Sequence, residues 1–240
     1  EKGAIAEGIV GRQGIVTNAR GELFLATERG LVRGAQTKGA WQFTAVAAPA
    51  TQRDGPVVSV LVDEGGKVWF GCGTGLCLLD QNEVREVGRE AGLPDEMWWA
   101  ILSSVEGDLY VRGEHSLYRR AAKQKRFESL PKLPESTNTI PTAALDPDGR
   151  LLVPTDVGLV RESENGWQTI NVEDGSNDVS AVLMDHEGSI WLGLMGSGLA
   201  RWLGYGEWES WTEKEGLSRS QVWSVAKDPS GRLWVGTRFG

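Results

Sequence analysis

A unit of about forty residues recurs along the whole chain, and its clearest copy is Asp228-Pro-Ser-Gly-Arg-Leu-Trp-Val-Gly-Thr237. Aligned on the glycine of a turn, the copies fall at Gly21, Gly66, Gly107, Gly149, Gly188 and Gly231. A period in this range restricts a chain to solenoids, propellers and similar arrays, because one copy alone cannot bury its apolar face and must stack on its neighbours. The copies lack helical periodicity and carry short aliphatic and aromatic runs between Gly-bearing turns. The expectation is an all-β fold made of repeated small sheets.

The copies share an internal order. An apolar run leads into a turn of the form Asp-x-x-Gly: Asn18 to Gly21, Asp63 to Gly66, Ser104 to Gly107, Asp146 to Gly149, Asp185 to Gly188 and Asp228 to Gly231. Asp and Asn side chains bond to backbone groups two residues on, and Gly takes positive φ without strain, so these segments read as hairpin turns. The next strand carries a large residue at one register, Phe24, Trp69, Tyr110, Leu152, Trp191 or Trp234, followed by a leucine column, Leu31, Leu76, Leu117, Leu159 and Leu199. A column that repeats its side-chain size is packing, since each unit presents the same shape to the next. Two positions beyond the leucines stand Arg33, Leu78, Arg119, Arg161 and Arg201, whose arginines are expected to lie along sheet edges or bridge to the next sheet.

The run before each turn is almost continuously apolar, over Val57 to Val62, Trp98 to Ser103, Ile140 to Leu145, Val179 to Met184 and Val222 to Ala226, as for a strand covered on both faces. One register of it holds only small residues, Gly14, Ser59, Ala100, Thr142, Ala181 and Ser224, which suits innermost strands crowding a central channel. Trp41 with Phe43, Val84 with Val87, Phe127, Trp167 with Ile170, and Trp208 with Trp211 mark an outer strand. Four short strands per copy predict a β-propeller of four-stranded antiparallel blades. The blades are expected over 11–53, 54–96, 97–138, 139–178, 179–221 and, incomplete, 222–240. About five and a half blades are present in this reading. Leu-x-Arg is due after Arg238-Phe-Gly240, so the repeat predicts a chain continuing into a seven-bladed ring, a closed six-bladed ring being the alternative.

Blade packing accounts for most of the 11 tryptophans. With 33 acidic against 25 basic residues the net charge is −8, which argues against nucleic acid as a partner, because phosphate binding needs clustered Lys and Arg. The one dense basic stretch, Arg119 to Arg126, reads as a solvated hairpin turn. No apolar run is long enough to span a bilayer, so any membrane contact is expected through a helix outside this segment.

Cys72 and Cys77 flank the turn Gly73-Thr-Gly75. Across a hairpin they could come within bridging distance; the favoured reading is two small buried hydrophobes, since Cys72 stands where other copies have Thr27, Thr155 and Thr237. Two cysteines without a nearby His cannot complete a zinc site, and no metal or other cofactor is expected. Catalytic signals are weak. The only histidines are His115 and His186; there is no nucleophile elbow, phosphate-cradling loop or His-Glu-x-x-His motif, and no catalytic residue is nominated.

Val222-Trp-Ser-Val-Ala-Lys-Asp-Pro-Ser-Gly-Arg-Leu-Trp-Val-Gly-Thr237, and Val179 to Gly193 with the following Gly198-Leu-Ala-Arg201, resemble the two-component regulator propeller repeat. Trp208-Glu-Ser-Trp-Thr-Glu-Lys-Glu-Gly-Leu217 resembles its link between blades. The resemblance extends over essentially the whole chain and is degraded where Gly113 and Pro154 disturb the motif. It implies the sensor region of a bacterial receptor, periplasmic or otherwise extracytoplasmic and non-catalytic in itself. A transmembrane helix and a histidine kinase or diguanylate cyclase would lie elsewhere in such a receptor, which could act as a homodimer. Family ligands are often carbohydrate fragments, which implies a small-molecule or oligosaccharide partner.

In a propeller the turns joining second to third strands share one face with the links into the next inner strand, and loops there can vary while the sheets stay fixed. The candidate ligand-binding residues on that face are Arg29, Trp98, Trp99, Glu114, His115, Asp156, Gln221, Trp223 and Arg238. Trp98, Trp99 and Trp223 stand where other copies have Val or Ser. Aromatics beside carboxylates, Arg and amides suit sugar stacking with directional hydrogen bonds; tryptophans that simply plug the channel mouth are the competing reading. Two other function classes stay open: a propeller-scaffold lyase resembling the streptogramin-inactivating type, with His115 as its base, and a protein-interaction platform.

Overall fold

The recurring turn closes its hairpin through its own side chain. At Asp146, Oδ1 accepts the backbone N–H groups of Asp148 and Arg150, both at 2.9 Å, while the Gly149 N–H donates to the Asp146 carbonyl. Gly149 sits at φ 77°, a region glycine enters without a Cβ penalty. Asn18, Asp63, Asp185 and Asp228 receive backbone N–H groups in the same way.

The computed structural model describes residues 13–47, 55–134, 141–155, 158–170, 179–185, 187–204, 207–228 and 230–238. It forms two compact units, Glu1–Leu130 and Pro131–Gly240. In the first unit β1 (Ile15–Thr17), β2 (Leu23–Thr27), β3 (Gly30–Thr37) and β4 (Ala40–Ala45) pair antiparallel in sequence order. So do β5 (Val57–Val62), β6 (Val68–Cys72), β7 (Gly75–Asp80) and β8 (Glu83–Glu86), and likewise β9 (Ala100–Ser103), β10 (Leu109–Arg112), β11 (Leu117–Arg120) and β12 (Glu128–Ser129). In the second unit the sheets are β13 (Ala144–Leu145), β14 (Leu151–Thr155), β15 (Gly158–Ser163) and β16 (Gly166–Ile170), then β17 (Val179–Met184), β18 (Ile190–Leu194), β19 (Gly198–Gly204) and β20 (Glu207–Trp211). The pair β21 (Val222–Lys227) and β22 (Leu233–Thr237) follows. The expected four-stranded antiparallel blades are present, and a single 3-10 turn at Glu213–Glu215 is the helical structure among the described residues.

Consecutive blades pack inner strand against inner strand. β5 lies on β1 and β2, and β9 on β5 and β6; in the second unit β17 lies on β13 and β14, and β21 on β17 and β18. Gln13 ties three blades: its carbonyl accepts the Val60 N–H at 3.0 Å and its Oε1 the Ile101 N–H at 3.1 Å. The small register makes this approach possible. Ser59 Oγ donates to the Trp98 carbonyl at 2.5 Å, and Ser180 Oγ reaches the carbonyls of Val222 and Gly193. A Cβ on Gly71 would stand 2.8 Å from the Trp98 carbonyl oxygen, and one on Gly193 would stand 2.7 Å from Val222 Cγ1. Between the blades lie the cores: Phe24, Val57 and Phe70 between the first and second sheets, Trp69, Leu76, Trp98 and Ile101 between the second and third, Leu152, Val179 and Leu192 between the fourth and fifth.

Four expectations need correction. The arginine column is held mainly within its own blades: Arg33 by Glu22, Arg119 by Asp108, Arg161 by Asp146 and Arg201 by Glu187, while Arg33 also reaches Asn82 of the next blade at 3.3 Å. Trp234, expected as blade packing, is 60% exposed, because it lies on a two-stranded sheet. The basic stretch is solvated only from Ala122 onward; Arg119 is ion-paired and Arg120 lies over two aromatic rings. Cys72 and Cys77, read as buried thiols, form a disulfide with Cα atoms 5.8 Å apart. They are also buried, so the burial argument was sound and the pairing across the turn completes it.

Candidate functional site

At one end of the first unit's sheets, the second-to-third turns meet the links between blades. Thr27 Oγ1 donates to the Gly30 carbonyl at 2.7 Å and closes the turn that carries exposed Arg29. The Cys72–Cys77 bridge closes the next turn, whose Gly73 N–H donates to the Pro56 carbonyl at 3.2 Å. The third turn is held by Glu96, from the link before β9. Its N–H donates to the Thr74 carbonyl at 2.9 Å, and its carboxylate accepts the Glu114 N–H at 2.7 Å and the Ser116 hydroxyl. A side chain at Gly113 would overlap that carboxylate, which explains the glycine that disturbs the repeat here. Glu96 thus fastens the link to two turns and leaves Glu114 and His115 pointing into solvent, their side chains 68% and 79% exposed.

The two neighbouring tryptophans separate. Trp99 is half-buried, and its N–H donates to the Arg112 carbonyl at 2.8 Å, which places it at the root of the Glu114–His115 turn. Trp98 is 0% exposed and packs edge-on against Tyr118 at 5.9 Å, so it is core and drops out of the surface set. The two tryptophans stand in the extended link just before β9, where successive side chains face opposite sides and only one side opens to water. Arg29 stands two sheets away from His115. The structure therefore brings Trp99, Glu114 and His115 together, with Glu96 as the anchor of their turn.

In the second unit Gln221 bridges to Met195, and its carbonyl accepts the Arg238 N–H at 3.1 Å. Trp223, 39% exposed, stands two residues along the same strand. Gln221, Trp223 and Arg238 thus share one end of the last sheet. Asp156 lies outside the described residues.

These groups offer hydrogen-bond donors and acceptors beside aromatic edges. His115 Nε2 is 3.8 Å from the Glu114 carboxylate, beyond hydrogen-bond reach, so nothing in that pair orients the ring as a base. Among the described residues no three His, Cys, Asp or Glu converge as a metal site, and no helix is long and apolar enough to cross a membrane. Arg112 was not foreseen. It is 1% exposed on β10, at the register where other blades carry Ala26, Gly71, Pro154 and Gly193, and burial pushes its guanidinium down to about 10.

The family described as two component regulator propeller matches residues 216–239. No curated protein matches the chain by sequence. Among solved structures, the extracellular domain of the candidate hybrid two component system BT3049 from B. thetaiotaomicron aligns with a TM-score of 0.73 at 16% identity, over 96% of this chain and 32% of that one. The extracellular domain of BT4673 from the same organism aligns with a TM-score of 0.67 at 15% identity, over 98% of this chain and 38% of that one. Virginiamycin B lyase from Staphylococcus aureus aligns with a TM-score of 0.72 at 15% identity, over 97% of this chain and 79% of that one. The chain spans about a third of the length of the two extracellular domains. The shared fold is the β-propeller, and residues 216–239 match the two-component regulator propeller repeat.

Proposed function

We propose that this segment is the non-catalytic ligand-sensing part of an extracytoplasmic, periplasmic bacterial receptor, and that it recognises a carbohydrate at the end of the sheets carrying Trp99, Glu114 and His115. The observation that carries this reading is the two-component regulator propeller repeat at 216–239. The extracellular setting of the BT3049 and BT4673 domains supports it, and so does the Cys72–Cys77 disulfide, a bond that persists in oxidising compartments. In this reading Trp99 supplies a stacking edge, and Glu114 and His115, presented by Glu96, supply directional hydrogen bonds. Gln221, Trp223 and Arg238 form a corresponding set in the second unit, and Arg29 belongs to the first unit's set. The full receptor is a homodimer with a transmembrane helix and a kinase or cyclase beyond this segment. A ligand that binds one receptor arrangement more tightly biases the output by that difference in affinity.

Thermal denaturation across an oligosaccharide panel tests the reading. A ligand at a hundred times its dissociation constant adds about 2.7 kcal/mol of stability. Trp99→Ala is expected to weaken the positive ligand about tenfold through lost stacking, with the melting temperature of the free protein little changed. If no oligosaccharide shifts the transition, the carbohydrate part of the reading fails. The likeness to virginiamycin B lyase favours a second reading, an enzyme with His115 as base. Turnover of virginiamycin B that is lost in His115→Ala would replace the sensor by that enzyme.

A further inference from the structure

At the opposite end of the first unit's strands, a cleft of about 160 Å³ opens between the Asp63–Gly66 turn of the second sheet and the Ser104–Gly107 turn of the third. Trp69, Ser103, Ser104, Leu109 and Arg120 line it, with Asp63 and Glu64 at its side. Its floor is core: Trp69, Leu109 and Phe127 belong to the cluster between the two sheets. Arg120 lies over that floor, with its guanidinium carbon 4.7 Å from the Trp69 ring centroid and 5.5 Å from that of Phe127.

Arg120 differs from the arginines of the repeated column. Arg33, Arg119, Arg161 and Arg201 each have a carboxylate partner. Among the described residues Arg120 has no hydrogen-bond or ion-pair partner, and its Nε is closed off from solvent without an acceptor. The nearby Asp63 acts on Arg120 through its charge without bonding to it: its Oδ1 accepts the Lys67 N–H at 2.9 Å and its Oδ2 the Trp69 indole N–H at 2.8 Å. The repeat does not call for an arginine here, since the same register holds Gly34, Leu79, Glu162 and Trp202 in the other blades. A guanidinium held over two rings without a carboxylate partner offers a planar fork of donors that matches two carboxylate oxygens. Ser104 Oγ already accepts the Asp108 N–H at 3.2 Å, so its hydroxyl hydrogen is free to donate as well.

We propose that this cleft binds a small organic acid, whose carboxylate takes the open donors of Arg120 and Ser104 and whose short carbon chain rests on Leu109. The volume suits a ligand of a few carbons, well below the pockets of drug-sized molecules. The site is independent of the proposed carbohydrate surface, which lies at the other end of the strands.

Lactate is the probe, with acetamide as neutral control and chloride at matched ionic strength as anion control, and the readout is the NMR signals of Arg120 Nε–Hε and the Trp69 indole. Lactate is expected to shift both saturably with a dissociation constant on the order of 1 mM, while acetamide and chloride do not. Arg120→Lys keeps the charge and removes the fork, and is expected to weaken binding about tenfold. Arg120→Met keeps the stem over the rings as a second variant should the lysine disturb folding, and is expected to abolish the Trp69 shift. Absence of a saturable shift up to about 100 mM, equal shifts with chloride, or undiminished binding in both variants overturns the proposal.

Discussion

Asp185 shows how much one side chain of the repeat does. Its Oδ1 holds the turn by accepting the Glu187 and Ser189 N–H groups, while Oδ2 accepts the Trp191 indole N–H at 2.9 Å and faces Lys227 of the next blade at 3.5 Å. The same aspartate-to-tryptophan bond recurs from Asp63 to Trp69 and from Asp228 to Trp234. Where the aromatic register holds Leu152, the spare oxygen of Asp146 goes to Arg150 and Arg161 instead. The turn signal and the aromatic column are therefore one device. Asp185→Ala is expected to destabilise the protein by about 1–3 kcal/mol, because several partly buried donors lose their acceptor. Trp191→Phe should cost about 1 kcal/mol, and the double variant less than the two together; urea titrations of the four proteins in a double-mutant cycle measure the coupling.

At the scale of single elements, the spacing between blades rests on glycines that face a neighbouring inner strand. Gly193→Ala brings a methyl group to 2.7 Å from Val222 Cγ1 and is expected to cost about 1–3 kcal/mol, read from the denaturant midpoint. Gly71→Ala meets the Trp98 carbonyl oxygen at 2.8 Å and should behave alike. The turn between β6 and β7 is stapled by Cys72–Cys77, which encloses a short loop, so replacing both by Ala is expected to cost only about 2 kcal/mol. Both sulfur-bearing residues are buried, and reductant should release thiols rapidly only in denaturant. Timed thiol assays with and without denaturant check this.

Across the whole molecule, Glu22, Asp108 and Asp185 behave alike on acidification. Burial alone would raise each pKa, but bound donors and cations outweigh it: Asn18 and Arg33 at Glu22, the Ala122 N–H and Arg119 at Asp108, and Trp191, backbone N–H groups and Lys227 at Asp185. All three stand below the usual carboxylate range. A carboxylate whose folded pKa is depressed contributes stability above its unfolded value, near about 4, and loses it as the pH falls through the folded value. The melting temperature is therefore expected to hold from neutrality down to about pH 5 and to fall steeply below about pH 4. A melting temperature that stays level to pH ~3 would contradict this account of the turns.

The sheets, the hairpin turns and the order of strands are legible in the residues, because those signals are local and periodic: an Asx turn needs only its own few residues, and a repeated side-chain size is visible without knowing its neighbour. Sequence alone also places Trp99, Glu114 and His115 on one end of the strands, since position within a repeat fixes which end a turn occupies. Tertiary structure decided everything that depends on what lies opposite. It sent Trp98 into the core and left Trp99 at the surface, joined Cys72 to Cys77, gave Glu96 its hold on the Glu114–His115 turn, and laid Arg120 over Trp69 of another sheet without an acceptor. Each of these is a contact between residues distant in sequence or across a turn, and side-chain type alone does not reveal which partner the fold brings within reach.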